Sequence, residues 1–296
     1  MVSDTAQSLI DAGLSAAGLA PALVTSVQAV GGGNTTSAWR VTTPDRQVFV
    51  KTMASPSGPS LWSEATGLAE LARSGCVRVP AVLAKAQTSE GATLVLEWLA
   101  LSRPGRSCAA RFGRQLARLH RCTAVAYGFH ADNWLGRSRQ QNEWCADWTE
   151  FFCERRLQAQ LQTTARRWQD RELVELGCEV WSAVPGLLAG YTPSPSLLHG
   201  DLWGGNWGAC GSEPVTFDPA VYFGDRETDL AMTHLFGGFD PAFYAAYEEE
   251  WPLDVGHRER RALYQLYHVL NHYNLYGTGY RAQALQLMRS VLERDQ

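Results

Sequence analysis

At about Leu101 the hydrophobic pattern of this chain changes period, and that change limits the folds open to it. Before it, short runs alternate between apolar and polar residues: LVTSVQAV, AWRVTT and QVFVKT, then VRVPAVLAKAQ and ATLVLEWL. Val48 and Val50 set against Phe49 and Lys51 carry the period-two signature of a half-buried strand. Breaks rich in glycine and proline (GGGNTTS, PDR, PSGPS) separate the runs. One helix, LWSEATGLAELARSG, lies among them and stops at Gly75, and a short, weakly amphipathic helix over 5–19 precedes them. After Leu101 the spacing is helical: CAARFGRQLARLHRC, NEWCADWTEFFCERRLQAQLQ and RELVELGCEVWSAVPGLL. A short strand, VTF, interrupts the pattern before TDLAMTHLF, PAFYAAYEEEW and RERRALYQLYHVLNHYNLYG. The expected class is α+β, with a small antiparallel-sheet lobe carrying a single helix over residues 1–100 and a larger helical lobe over 101–296.

Composition removes several function classes. A formal net charge of −4 gives no overall basic field for nucleic acid or an anionic membrane, and the arginines from Arg103 to Arg121 read as a solvated helix face. No apolar run reaches the length of a membrane span, and no Lys or Arg precedes Arg40, so the basic flank of a secretory signal is missing. Seven cysteines without a CxxC pair point to free thiols in a reducing, cytoplasmic setting rather than to disulfides or zinc. Oligomeric state has no signature in the sequence. Of the 26 basic residues only Lys51 and Lys85 are lysine, so a chain that otherwise uses arginine keeps a compact ammonium at two places.

The segment LLHGDLWGGNWG, residues 197–208, concentrates the chemistry. Asp201 and Asn206 place a carboxylate and an amide on a turn whose glycines permit close backbone approach, and Asp218 follows at the end of VTF. Amide and carboxylate oxygens are hard ligands suited to Mg²⁺, which leaves Asp201 as a base for a hydroxyl proton. Base, metal amide and metal carboxylate in that order is the arrangement of kinase catalytic loops. The sheet lobe supplies matching parts. Lys51 lies on VFVK, and Glu64 shares an inward helix face with Leu61, Leu68 and Leu71, while Glu70 points the other way. Such a pair would anchor ATP phosphates. Gly31, Gly32, Gly33 and Asn34 form a turn that could cover those phosphates, although GGGN matches neither the P-loop pattern nor GxGxxG. Backbone groups of Glu97, Trp98 and Leu99 stand where an adenine edge would bind, near the junction at 97–101. Singly these are ordinary surface features; together they specify a two-lobed, protein-kinase-like fold. Gly200 replaces the arginine that protein kinases carry before the catalytic aspartate, and only eleven positions separate Asp218 from Asp229. Both favour a small molecule, or a modified side chain, over an extended peptide. Asp229 itself reads as a helix N-terminal carboxylate. Trp144 and Trp148, one helical turn apart, read as core, as do His130, His234 and His268.

Nearly the whole chain resembles the fructosamine-3-kinase (ketosamine kinase) family, which shares its fold with aminoglycoside phosphotransferases and choline kinases. The motifs carrying the resemblance are HGDLWGGN, FDPAVYFGDRETDLAMTHLFGGF, LYQLYHVLNHYNLYG, VFVK, the SEATGL helix and FHADNWLGRSRQQNEWCADWTEFFCERRL. The resemblance implies ATP- and Mg²⁺-dependent phosphorylation of the sugar 3-hydroxyl of ketosamines, free or borne on protein lysines. It assigns Asp201 as base, Asn206 and Asp218 as metal ligands, Lys51 and Glu64 as the phosphate pair, and Trp203 and His272 as residues facing the sugar. An aminoglycoside- or choline-type kinase would use the same catalytic residues on another hydroxyl, and an inactive nucleotide-binding scaffold would keep them without turnover. A metallophosphoesterase would need an upstream DxH and a GNH with further histidines, and this sequence has neither.

Overall fold

The computed structural model describes residues 2–31, 36–54 and 59–293. In chain order the sheet lobe contains α1 (Asp4–Ala16), β1 (Ser26–Val30), β2 (Ser37–Thr42), β3 (Gln47–Met53), α2 (Pro59–Ser74), β4 (Val82–Gln87) and β5 (Ala92–Glu97). Its five strands pair antiparallel in the order β1-β2-β3-β5-β4. β5 is an interior strand covered on both faces, so Ala92–Leu96 are all buried, with the one polar member, Thr93, donating its hydroxyl to the Leu9 carbonyl of α1. One face, with Val41, Val48, Val50 and Val95, packs on Ile10 and Leu14 of α1. The other, with Ala92, Leu94 and Leu96, packs on Leu61, Ala65 and Leu68 of α2. The sheet therefore carries two helices, not one. α1 was expected only as a helix ahead of the strands; it packs on the sheet through a narrow stripe of Leu9, Ile10, Gly13 and Leu14. Lys51 falls on the α2 face of β3, opposite Val48 and Val50, because successive side chains alternate.

The second lobe begins with β6 (Leu101–Ser102) and α3 (Arg106–His120), followed by the hairpin β7 (Asn133–Leu135) and β8 (Ser138–Gln140). Helices α4 (Trp148–Phe151), α5 (Ala159–Trp168) and α6 (Arg171–Leu187) come next, with a π-helical run, Phe152–Gln158, between α4 and α5. The helix expected from Asn142 starts only at Trp148, where Asp147 accepts from the Glu150 N–H as N-cap. Residues before it are tied instead to the preceding segment, with Tyr127 and Cys145 exchanging backbone hydrogen bonds of 2.9 Å. Trp144 consequently lies off the helix at 46% exposure, whereas Trp148 is core.

Then follow the short strands β9 (Ser196–Leu198), β10 (Trp207–Cys210), β11 (Glu213–Thr216) and β12 (Tyr222–Gly224). Helices α7 (Arg226–Thr233), α8 (Pro241–Glu250), α9 (His257–Tyr276) and α10 (Arg281–Leu292) complete the lobe. α9 runs through its centre, burying Leu263, Leu266, Val269, Leu270 and Tyr273. β9 pairs with β12 and β10 with β11, both antiparallel, so segments 199–206 and 217–221 are strung between two small ladders. β6 pairs with β10, tying the lobe junction to the exit of the first of those segments. Three arginines of α3 are ion-paired at the surface, Arg111 on Glu213, Arg114 on Glu249 and Arg118 on Glu250, which the C-cap Arg121 shares. Among the described residues no helix is long and apolar enough to cross a membrane, and all seven cysteines are free thiols.

α3 crosses α8 at Gly113, where a Cβ atom would lie 2.2 Å from the Phe243 carbonyl oxygen. Gly113→Val should force these helices apart and lower stability by ~1–3 kcal/mol, the usual range for overpacking. A fall in the urea midpoint at unchanged slope is the expected reading.

Candidate active site

Lys51 joins the two lobes. Its residue is 6% exposed. Its ammonium donates to both Glu64 carboxylate oxygens, at 2.8 and 2.9 Å, and to Asp218 Oδ1 at 2.5 Å. Burial alone would lower the lysine pKa, but the Asp218 and Glu64 charges outweigh it and hold the ammonium charged. Glu64 is pushed up to about 7 by burial, against the opposing pull of Lys51. Asp218 is lowered: burial works against ionisation, and the Lys51 charge overcomes it. Glu64 sits where the helix face predicts. Glu70, expected to point to solvent, is only 14% exposed at its side chain and pairs with the exposed Arg73.

Asp218 has φ +56°, a left-handed conformation uncommon outside glycine. That turn follows β11 directly and aims the carboxylate up at the sheet lobe, with its side chain 39% exposed. Asn206 is buried at the foot of the same ladder. Its Nδ2 donates to the Asp201 carbonyl at 2.8 Å and to Asp201 Oδ2 at 3.1 Å, which turns Oδ1 the other way. Its carbonyl accepts from the Phe217 N–H and the Thr216 hydroxyl, locking the two segments together. Asp201 is pushed up to about 7 by burial and by the Asp218 charge, with the Asn206 hydrogen bond opposing.

The backbone around Asp201 is held from below by Asp229. This carboxylate accepts from the His199 N–H at 2.7 Å and the Gly200 N–H at 2.9 Å, and meets His120 Nε2 at 3.2 Å. Asp229 is thus an anchor of the 199–206 segment, a role larger than a helix-terminal charge, and its sequence position alone gave no sign of it. His199 is buried, its Nε2 3.0 Å from the Phe217 carbonyl and its Nδ1 accepting from the Asp201 N–H. Gly200 has φ +83°, and a Cβ there would come within 2.0 Å of the Ala220 carbonyl oxygen. No arginine could stand at this position.

Of the other expected residues, Gly31 lies exposed just past β1, while Gly32, Gly33 and Asn34 lie outside the described residues. The Glu97 N–H donates to the Ala81 carbonyl at 2.8 Å. The Trp98 ring is covered by the Arg40 guanidinium at 5.3 Å and by Phe49. Trp203 lies across Gly205, whose missing Cβ leaves room for the ring, and meets Phe236 edge-on at 5.9 Å. Phe236 in turn contacts His272 at 4.9 Å, so the two residues expected near the sugar belong to one aromatic group. Sequence reasoning missed Phe236, Tyr276 and Tyr280 in that group. The four-residue spacing of His272, Tyr276 and Tyr280 was the available signal.

Between Asp218 and Asp229 the chain is already committed to β12 and the first turn of α7, with Asp225 buried as its N-cap. No extended stretch is left to clamp a peptide, which defines the class as kinase-like phosphotransferases without a peptide-docking activation segment. The chain belongs to the fructosamine kinase family, whose model matches residues 7–294. It is 38% identical to a probable ketoamine kinase of Synechocystis over 90% of each chain. It is 36% identical to the rice chloroplastic protein-ribulosamine 3-kinase, over 91% of this chain and 79% of the other. A solved Thermobifida fusca structure, provisionally described as a fructosamine-3-kinase, superposes with TM-score 0.84 at 33% identity, covering 95% and 96% of the two chains. The aminoglycoside phosphotransferase APH(4)-Ia, at 14% identity and TM-score 0.63 over 90% and 94% of the chains, shares the fold alone.

Asp229 supplies acid-sensitive stability. Burial would raise its pKa, but the His120 hydrogen bond, the two histidine charges and the backbone N–H of Gly200 hold it below the ordinary range. A carboxylate depressed in the folded state stabilises above its unfolded pKa of about 3.9 and loses that contribution as pH falls through the folded value. His120 and His199, both lowered by burial, add acid sensitivity that starts below about 6.5, where the unfolded imidazoles take up protons first. Asp229→Asn, which leaves one backbone N–H without an acceptor, should cost ~1–3 kcal/mol at neutral pH. The gap to the parent should narrow towards pH 3 in denaturation curves taken across pH.

Proposed function

We infer that this chain transfers the γ-phosphoryl group of ATP to the 3-hydroxyl of a ketosamine, the sugar adduct of an amine, either free or on a protein lysine. The observation that carries the reading is the Lys51 ammonium held between Glu64 of the sheet lobe and Asp218 of the helical lobe. An ammonium fixed in this way is poised to meet nucleotide phosphates. Membership of the fructosamine kinase family and the ketoamine and ribulosamine kinase names of its relatives support the substrate class. Free thiols at all seven cysteines fit a reducing, cytoplasmic setting.

Asp201 accepts the proton of the attacking hydroxyl, and its hydrogen bond from Asn206 fixes the carboxylate orientation. Asn206 Oδ1 and the Asp218 carboxylate form a hard-oxygen donor set on adjoining turns and suit Mg²⁺, which keeps phosphate oxygens and water as its remaining ligands. Bound there, the ion would neutralise charge on the phosphate oxygens. Lys51 orients the phosphates, with Glu64 setting the position of the ammonium. The glycine-rich stretch Gly31–Asn34 is the candidate for covering the phosphates. Trp98 and Leu99 face the adenine edge together with the carbonyl of Glu97, whose N–H is already engaged. Trp203 and His272 border the sugar.

A coupled ADP-release assay with a fructosamine, a ribulosamine and an aminoglycoside should give turnover on the ketosamines. Asp201→Asn should lower kcat by about 10²–10⁴, the usual worth of a positioned base. Turnover of Asp201→Asn near the parent rate would remove the residue from that role.

A further inference from the structure

Five rings from four segments meet beside the catalytic loop. Trp203 stands two residues past Asp201, Phe236 follows α7, His272 and Tyr276 lie one turn apart on α9, and Tyr280 precedes α10. Phe236 contacts His272 at 4.9 Å and Tyr280 at 6.3 Å, and His272 contacts Tyr276 at 5.7 Å and Tyr280 at 5.1 Å. Interplanar angles within the group run from 46° for Tyr276 against Tyr280 to 86° for Phe236 against Tyr280. All of these contacts are tilted or edge-on, and no ring of the group is stacked flat on another.

Two further observations mark the group as more than core. Phe236 and Tyr276 are 40% and 44% exposed, among the few large hydrophobic residues that reach the surface. Phe236 also holds φ +56° immediately before Gly237 at +102° and Gly238 at +72°. A bulky residue kept exposed in a strained backbone, beside two glycines that would take that conformation freely, is a feature associated with ligand sites. His272, which burial holds toward the neutral form, brings no competing positive charge.

We propose that Phe236, Tyr276 and Tyr280, with His272, form an aromatic wall that binds the amine half of the substrate: the protonated secondary nitrogen of the ketosamine and the first methylenes of its alkyl chain. The assignment rests on the ketosamine reading above and extends it from the sugar to the aglycone. A ketosamine differs from a free ketose by one cationic nitrogen on an apolar stem. Tilted π-faces match both parts, since the ring quadrupole attracts the cation and the ring surface covers the methylenes. The wall continues from Trp203, so a sugar whose hydroxyl reaches Asp201 would lead its amine substituent directly onto these rings.

The test compares steady-state kinetics on the fructose adduct of an α-blocked lysine with those on the same adduct acetylated at the ketosamine nitrogen, which removes the charge. The parent should favour the charged adduct through KM. Tyr276→Ala and Phe236→Gly should each raise KM for the charged adduct roughly tenfold, a change equivalent to about 1.4 kcal/mol. They should leave the acetylated adduct within about twofold. Tyr276→Phe should retain the parent KM, and Phe236→Gly, which relieves the strained φ, should keep the parent melting temperature, separating ring loss from misfolding. Unchanged KM in both ring-deletion variants, or equal losses on charged and acetylated adducts, would overturn the wall and leave the ketosamine reading standing. A parent that turns over neither adduct nor a ribulosamine would overturn both.

Discussion

A buried ammonium shared by two carboxylates from different lobes is the interaction on which this structure turns. An isolated charge at 6% exposure would be expensive, and removing either acid would leave it undercompensated. The fold meets this demand three times over. Strand alternation puts Lys51 on the α2 face, helical spacing brings Glu64 to it, and the left-handed turn at Asp218 raises a carboxylate from the other lobe. All three ammonium donors are engaged, two on Glu64 and one on Asp218. A phosphate can reach Lys51 only by displacing one of them. Glu64 is 13% exposed and held on both oxygens, whereas Asp218 is 39% exposed and held through one. Asp218 is therefore the less enclosed and less fully engaged of the two partners.

The catalytic segment depends in turn on a second buried acid. Two consecutive N–H groups, of His199 and Gly200, converge on Asp229, which requires the backbone to turn sharply just before Asp201. That turn places residue 200 at φ +83° with the Ala220 carbonyl against its Cα. The absence of an arginine there is consequently steric as well as functional. The same close approach fixes the spacing between the Asp201 and Asp218 segments, because the Ala220 N–H donates to the His199 carbonyl at 2.8 Å.

What the sequence revealed followed the length scale of each signal. Strand alternation around Val48–Lys51 and the helical stripe of Leu61, Glu64, Leu68 and Leu71 each span enough residues to set a period, and both lie as their patterns require. β9, β12, β7 and β8 are three residues long, too short to show any period, so of the two ladders that suspend Asp201 and Asp218 only β11, read as VTF, was visible. α10 was also missed. Trp144 and Trp148 have helical spacing, but the Asp147 cap starts the helix between them and separates their fates. Asp201, Asn206 and Asp218 were expected from residue type and order, and the structure hydrogen-bonds Asn206 to Asp201 and Asp218 to Lys51. Asp229 could not be read in this way, because its partners are backbone amides that carry no residue identity. The aromatic group eluded reading for a related reason: its members come from four segments and meet only in three dimensions.

The short connection between Asp218 and Asp229 also bears on control. In kinases regulated by phosphorylation, a flexible segment after the metal-binding aspartate becomes ordered when a phosphate pairs with arginine. Here that interval is occupied by β12, whose partner β9 leads into the catalytic loop, and by a helix start whose N-cap Asp225 is fully buried. Asp225 further accepts from the Tyr264 hydroxyl at 2.6 Å, and Glu227 forms a buried pair with Arg260 at 2.8 Å, so the interval is pinned to α9. A segment held this way leaves no loose stretch for a phosphate to order. The 199–206 loop is thus held by contacts made on folding itself, with Lys51 as the point where the two lobes share a buried charge.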